Sequence, residues 1–200
     1  MENTTAGSED EQKPRSLPFF PVSEGKLITL YLLSFGLYGI YWFYQNWKYQ
    51  QPLMDKKIYP ALRALLSIFY VYSLFKRIDS QASQLDDEHR FNTRVYAALF
   101  IITMILSNVF DHAFGTDHPE DIINNVLIVA SLLLFALSTI PMVKAQATAN
   151  RVNGDLLGYL NHRYSFWNYL LILTGSILWI LIIAGIIFNL TGLTSIVHEA

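Results

Sequence analysis

LITLYLLSFGLYGIYWFYQNWK, residues 27–48, is the stretch that decides the predicted fold. It contains twenty-one uncharged residues, from Leu27 to Trp47, before the charge at Lys48. At about 1.5 Å per residue, a helix of this length crosses a hydrocarbon core of about 30 Å. Its second half is rich in the aromatic residues typical of membrane–water interfaces: Tyr38, Tyr41, Trp42, Phe43, Tyr44 and Trp47. We therefore predict a transmembrane helix over about 24–47 that ends in an aromatic belt.

The composition of the whole chain also favours a membrane protein. Of its 200 residues, 52% are hydrophobic and only 15% are charged, and the charges cluster between long apolar runs. A net charge of −2 without a basic run gives no reason to expect a nucleic-acid partner. The chain has no cysteine, which excludes thiolate catalysis, cysteine-ligated zinc and iron–sulfur clusters.

Three further uncharged runs, at 95–110, 122–143 and 164–197, predict additional transmembrane helices. Residues 58–75 contain one charge, Arg63, and either span the membrane with Arg63 snorkelling or lie in the interface. The predicted fold class is therefore all-α, a polytopic membrane helix bundle with four transmembrane helices plus one short spanning or interfacial helix. We place its helices at about 24–47, 58–78, 94–110, 119–143 and 164–190. They form a single membrane domain at 19–197, between a disordered tail at 1–18 and a C-terminal tail at 198–200.

The distribution of lysine and arginine predicts part of the orientation. The loops at 76–94 and 144–163 carry basic residues and the loop at 111–121 has none, so residues 111–121 and the C-terminus are expected outside. The first half stays open, because each arrangement misplaces three cations. If 58–75 crosses, these are Lys48, Lys56 and Lys57, and if it does not, they are Lys13, Arg15 and Lys26. We prefer the arrangement in which 58–75 does not cross.

Few residues suggest catalysis or metal binding. The loop DHAFGTDHPED, residues 111–121, offers imidazole and carboxylate ligands, but its Asp117–Glu120 sequence resembles a capping box for the next helix, which we prefer. No GxSxG or HExxH motif occurs, and no charged residue interrupts the four predicted spans. We therefore expect neither an enzyme nor an ion-coupled carrier, and no cofactor or metal.

Three motifs follow one another near the N-terminus: FFPVS-x-x-KL, GLYGIYWFYQNWK and Pro60-x-x-Arg63-Ala64. In this order they resemble a group of small uncharacterised bacterial inner-membrane proteins with a GLYxxYWFYxNW signature followed by a P-x-x-RA segment. The proline-ended span at Pro141 and a Q-x-x-x-N-x-x-N element, here Gln146, Asn150 and Asn153, also resemble that group. The resemblance covers residues 19–78 and 141–153. It implies a bacterial inner-membrane location and brings no activity.

One polar cluster is a candidate site. Gln146, Asn150 and Asn153 are spaced by four and three residues, so their side chains share one helical face. Together with Asn46, Trp47 and Arg63 they predict a cytoplasmic-side cluster that binds a lipid headgroup or a protein partner. The simpler interpretation is a solvated helix face that docks on the 76–94 loop.

The sequence as a whole favours a non-enzymatic membrane module that binds membrane lipids or a membrane-protein partner at the cytoplasmic face, with the oligomeric state open. A small-solute permease or channel is the alternative. It requires polar residues from separate spans to converge on one pore. The candidates for such a pore are Asn108, Asn124, Asn125 and Thr174.

Overall fold

The structure is a computed structural model that describes residues 17–85, 91–113 and 122–191, without the side chains of 111–113, 122–124 and 189–190. The described chain is all-helical, which confirms the predicted class. Its α-helices are α1 Glu24–Leu33, α2 Leu37–Gln50, α3 Pro60–Leu65, α4 Ser67–Ala82, α5 Thr93–Ala113, α6 Ile122–Leu137, α7 Thr139–Val152 and α8 Phe166–Leu190. The predicted disordered tail up to residue 16 and the acidic side chains of the 111–121 loop lie outside the described part.

The stretch 27–47 forms two helices, so the predicted transmembrane helix over 24–47 is wrong. α1 and α2 are separated by a left-handed backbone at Phe35 (φ 51°) and Gly36 (φ 86°). α1 directly follows the residues around Phe20, and the N–H of Phe20 donates to Asn46 near the end of α2 (3.3 Å). The start of α1 and the end of α2 therefore both lie next to the residues around Phe20. The two helices form a hairpin that returns to the side from which it starts.

Local hydrogen bonds explain the break between α1 and α2. The Gly36 N–H donates to the carbonyl of Tyr31 (2.9 Å), and the Ser34 hydroxyl accepts the N–H of Tyr38 (2.8 Å). A positive φ is readily adopted by glycine, and a side chain at Gly36 would also press on the ring of Phe135. With ten and fourteen residues, α1 and α2 rise about 15 and 21 Å, and each is shorter than a hydrocarbon core of about 30 Å.

Three helices in the described residues are long and apolar enough to cross a membrane, at Thr93–Phe110, Asn125–Val152 and Phe166–Phe188. They indicate a membrane protein and correct the predicted number of transmembrane helices from four to three. The second candidate runs through α6 and α7, which meet at Ser138. The Ser138 hydroxyl hydrogen-bonds the phenol of Tyr31 (2.7 Å), which ties this junction to α1.

Residues 58–75 do not form one of these spans. They fold into the short helix α3 and the first half of α4. One face of α4 is buried through Val71, Leu74, Phe75 and Ile78, while Leu65 and Phe69 are largely exposed. An amphipathic pair of this kind is typical of a helix that lies in the interface, the second of the two predicted alternatives.

The predicted aromatic belt in residues 38–47 is also wrong for most of its members. Trp42, Phe43 and Trp47 are fully buried inside the protein, because α2 packs against other helices. Exposed aromatic residues lie instead at the start of α8, where Phe166, Trp167 and Tyr169 are 60% to 74% exposed.

The described residues divide into two parts. The head comprises residues 17–82, 91–100 and 139–165, and every buried hydrophobic residue in the described chain lies there. The stem comprises residues 101–110, 125–138 and 166–188, which carry many of the exposed Ile, Leu and Val side chains. The hairpin reaches from the head along α8, where the Trp179 indole donates to the carbonyl of Leu32 (3.1 Å) and Gly175 packs on Leu33. Gly175 is nine residues into α8, so the hairpin tip lies about 14 Å along that helix.

Candidate functional site

Residues Pro18–Val22, here called the strap, run through the head without regular secondary structure. Phe19, Phe20 and Val22 are buried. A buried backbone needs hydrogen-bond partners, and the two prolines of the strap prevent it from joining a regular ladder. The partners of the strap must therefore come from side chains.

Every strap carbonyl accepts a hydrogen bond from a side-chain amide on another part of the chain. Asn153 bonds both edges of Phe19, accepting its N–H (3.1 Å) and donating to its carbonyl (2.9 Å). The carbonyls of Pro18, Phe20, Pro21 and Val22 accept from Gln50, Gln146, Asn161 and Asn150, respectively, at 2.9 to 3.1 Å. We call these amides, together with Asn46, the amide clasp.

The predicted face of α7 is therefore occupied by a segment of the same chain. Gln146 also accepts from the indole of Trp42 and donates to Asn150 (2.6 Å), and it is fully buried. The structure brings Asn46, Gln146, Asn150 and Asn153 together, as the sequence predicts, but around the strap. Sequence reasoning missed Gln50 and Asn161 in the clasp. The available signal was the Pro-Phe-Phe-Pro run of the strap, which cannot pair its own backbone.

Trp47 and Arg63, the other two residues of the predicted cluster, form a separate stack. The Arg63 guanidinium lies 4.4 Å from the ring centre of Trp47 and 5.1 Å from that of Tyr70. Each such contact contributes about 0.5 to 2 kcal/mol. The stack joins α2, α3 and α4, and it holds the amphipathic α3–α4 pair against α2.

A cavity of about 480 Å³ lies between the hairpin and the start of α8, and we call it the Lys26 cavity. One wall is mainly aromatic and apolar and the other is cationic. The lining residues are Phe20, Lys26, Tyr38, Tyr41, Asn161, Arg163, Ser165, Trp167, Asn168 and Leu171. None of these lining residues carries a carboxylate, so the cavity has a net positive wall.

Lys26 is the central charge of this cavity and is only 6% exposed. Its ammonium donates to the side-chain oxygen of Asn161 and to the carbonyl of Arg163, both at 2.7 Å. Both acceptors are neutral, so these described partners do not compensate the charge. Burial lowers the pKa of Lys26 from its ordinary value, because desolvation disfavours the charged form.

The start of α8 adds to the positive potential. Ser165 and Asn168 form a capping box there, with Ser165 accepting the N–H of Asn168 (3.4 Å) and Asn168 accepting that of Ser165 (3.0 Å). The N-terminus of a helix carries a partial positive charge that favours anions. The Arg163 side chain is exposed beside it. This end of the cavity is therefore suited to an anionic group.

The opposite wall stays neutral and apolar. Burial, with smaller contributions from Tyr41 and Tyr164, raises the pKa of Tyr38, so its phenol remains protonated at neutral pH. Tyr41 and Trp167 also line the cavity and are partly or largely exposed. Such a combination of a cationic end and an aromatic wall fits an amphiphile with a charged head.

The polar residues considered for a permease do not converge within the described chain. Asn108 lines a cavity of about 260 Å³ beside Phe35 of the hairpin tip, whereas Asn125 lines a different one with Val126 and Ile186. Thr174 is exposed and donates to the carbonyl of Leu170 in its own helix. The side chain of Asn124 lies outside the described part.

Comparison with known proteins adds no relative: no family model matches the chain, and no match is found among curated proteins or solved structures. The resemblance to small bacterial inner-membrane proteins therefore stays a prediction.

Proposed function

We propose that this protein is a non-enzymatic, multi-pass protein of the bacterial inner membrane that binds an anionic lipid headgroup in the Lys26 cavity, at the cytoplasmic face. The observation that carries the proposal is the buried ammonium of Lys26, whose described partners are neutral oxygens. A buried charge without a counter-charge is unfavourable. A headgroup phosphate would supply that charge and accept the third N–H of the ammonium.

The level of the cavity supports a lipid as the ligand. Trp167 lines the cavity and also belongs to the exposed aromatic group at the start of α8. Aromatic residues of this kind lie at the headgroup level of a bilayer, so the cavity opens where lipid phosphates are found. The acyl chains of the bound lipid would then lie along the apolar outer face of α8.

The distribution of basic residues supports the cytoplasmic orientation. The chain has fourteen lysines and arginines, and all of those in the described residues lie in the head. The hairpin removes the conflict in the sequence-based orientation, because Lys26, Lys48 and Lys57 now share one side. By the positive-inside rule this side faces the cytoplasm.

A small-solute permease is the second candidate. It is less well supported because Asn108 and Asn125 line separate cavities and Thr174 bonds its own helix. A membrane-protein partner, the other partner predicted from the sequence, has a possible contact surface on the exposed face of α3 and α4, around Leu65 and Phe69.

Brominated lipids provide the test, because bromine quenches nearby tryptophans. The full chain is placed in nanodiscs with equal fractions of brominated phosphatidylglycerol or brominated phosphatidylcholine, which differ in headgroup charge. We expect phosphatidylglycerol to quench more strongly, and Trp167→Phe to remove the excess. Arg163→Gln should lower the preference about tenfold, because it removes a charge-assisted contact, while the carbonyl of Arg163 still accepts from Lys26.

Lys48→Gln is the matched control, since Lys48 is exposed and lies outside the cavity lining. It should retain the preference for phosphatidylglycerol. Equal quenching by the two lipids in the unmodified protein, or equal losses in the Lys48 and Arg163 variants, would contradict a specific headgroup site.

A further inference from the structure

A second cavity, of about 590 Å³, lies where α4 approaches the start of α5. Its lining residues are Tyr72, Lys76, Asp79, Phe91, Asn92, Thr93 and Arg94. None of them lines the Lys26 cavity, so the two cavities can be tested separately.

Thr93, in the wall of this cavity, carries an unexplained polar group. It is 9% exposed, and its hydroxyl has no hydrogen-bond partner among the residues that the structure describes. A buried hydroxyl without a partner is unfavourable, and such groups are few in folded proteins. The hydroxyl at this position therefore points to a ligand that is able to bond it.

The first turn of α5 supplies further donors. Asn92 caps the helix, accepting the N–H of Val95 on its side chain (3.2 Å) and that of Tyr96 on its carbonyl (3.0 Å). The backbone N–H groups of Thr93 and Arg94 belong to the same turn, whose partial positive charge favours an anion. α5 has twenty-one residues, so its dipole is fully developed.

Two cations and one carboxylate share the lining. Lys76 and Arg94 have exposed side chains and approach the cavity from α4 and α5. The carboxylate of Asp79 accepts the N–H of Phe91 (3.3 Å), which fixes one of its oxygens in a contact with the backbone. The lining is therefore net positive, with donors grouped at the α5 end.

We propose that this cavity is a second anion site that takes a phosphate group, bound by Lys76, Arg94 and the Thr93 hydroxyl at the N-terminus of α5. Arginine and lysine match the oxygens of a phosphate through charge-assisted hydrogen bonds, and a helix N-terminus provides backbone donors. The phosphate is either free in solution or part of a lipid headgroup, because α5 begins a candidate membrane span at Thr93.

The test measures thermal unfolding of the full chain in phosphatidylcholine nanodiscs by circular dichroism. In one arm, inorganic phosphate replaces chloride at constant ionic strength. In the other, phosphatidic acid replaces part of the phosphatidylcholine. A rise in Tm with inorganic phosphate identifies a free anion as ligand. A rise with phosphatidic acid alone identifies a headgroup at this cavity where Lys76→Gln with Arg94→Gln reduces it, because the Lys26 cavity is also proposed to bind a headgroup. No rise in either arm overturns the proposal.

Variants show whether the rise belongs to this cavity. Lys76→Gln with Arg94→Gln should lower the affinity for the stabilising phosphate at least about tenfold, because charge-assisted bonds are lost. Lys56→Gln with Lys57→Gln removes the same charge from exposed positions outside the lining and should keep the response. If both double variants lose the Tm response to phosphate equally, the proposed site is overturned. Arg163→Gln, which weakens the Lys26 cavity, should keep the response to inorganic phosphate and lose only the share of the phosphatidic acid response that the Lys26 cavity supplies.

Thr93→Val distinguishes a ligand contact from a structural role. In the absence of phosphate, Tm should stay the same or rise, because the substitution replaces the unpartnered hydroxyl with a methyl group of nearly equal volume. The response to phosphate should weaken about three- to tenfold, which corresponds to the loss of one hydrogen bond. A lower Tm without phosphate, with an unchanged response, contradicts the assignment of Thr93 to the site.

Discussion

The head and the stem bury opposite kinds of residues. In the head, the buried side chains are mainly aromatic and aliphatic, such as Trp42, Phe75 and Leu30. In the stem, the buried residues of the described chain are small or polar: Thr103, Asn125, Ser131, Ser138 and Gly175. Burial of apolar side chains dominates the interior of the head, whereas close packing of small residues and hydrogen bonds dominate that of the stem. One short chain thus contains two kinds of interior.

The hairpin, which belongs to the head, shows why a long uncharged run alone does not assign a segment to the membrane. Like a span, it is uncharged from Leu27 to Trp47, yet Leu27, Leu30 and Trp42 face protein. α8 is also uncharged, and nearly all of its side chains from Phe166 to Phe188 are at least partly exposed. The hairpin and α8 differ in whether other helices of the protein cover their side chains.

Topology mapping has the largest expected effect, since its result is all or none. In this cysteine-free chain, single cysteines at Ser8, Asp55, Gln84 and Thr116 are labelled in intact cells with an impermeant thiol reagent. Because the hairpin returns to its starting side, we expect labelling at Thr116→Cys only. Labelling at Ser8→Cys without labelling at Asp55→Cys would mean that the hairpin crosses, and the division into head and stem would fail.

Gln146→Leu tests the amide clasp. It leaves the Phe20 carbonyl and the Trp42 indole N–H without their buried partner. At about 1 to 3 kcal/mol for each unsatisfied group, we expect the free energy of unfolding to fall by about 3 to 5 kcal/mol. The measurement is unfolding in mixed micelles followed by circular dichroism.

Thr174→Val is the control from the stem, because the Thr174 hydroxyl is exposed and bonds only a carbonyl of its own helix. Its effect should stay within about 0.5 kcal/mol. A similar fall in the free energy of unfolding for Gln146→Leu and Thr174→Val would show that polar side chains contribute equally to the stability of the head and the stem.

Gly175→Ala and Gly185→Ala compare two positions of α8, and their effects should be smaller. A Cβ at Gly175 would lie 1.8 Å from the carbonyl oxygen of Leu33, whereas at Gly185 nothing lies within 4 Å. Overpacking should destabilise the first variant by about 1 to 3 kcal/mol, and helix propensity should stabilise the second by about 0.5 to 1 kcal/mol. Thermal unfolding in one detergent measures both, and equal shifts would disprove the close contact of α1 with α8.

The fold class and the later spans were accessible from sequence because each depends on local composition. Long uncharged runs at 95–110 and 122–143 predict helices whatever their neighbours are. The prediction of the first transmembrane helix failed because Ser34, Phe35 and Gly36 are uncharged and do not interrupt the run of uncharged residues. The break depends on backbone conformation and on tertiary contacts with Phe135 and Trp179, which composition does not contain.

The candidate site was predictable only where it depends on one helix. The shared face of Gln146, Asn150 and Asn153 follows from helical periodicity, and the structure brings them together. Their partner in the strap follows only from contacts across 126 to 134 residues of sequence. The Lys26 cavity was not predicted, because it forms where the hairpin and α8 meet and no local motif marks it.

The amide clasp has a consequence for biogenesis. The strap leaves the ribosome early, whereas Gln146, Asn150, Asn153 and Asn161 are synthesised 126 to 140 residues after their strap partners. Contacts of such long separation form late in folding. We therefore expect α1 and α2 to reach the membrane before the strap has its hydrogen-bond partners, which are complete only when translation passes residue 161. The strap is then synthesised first but fixed in place last. In a chain that stalls before α7, the strap stays exposed to insertases and proteases.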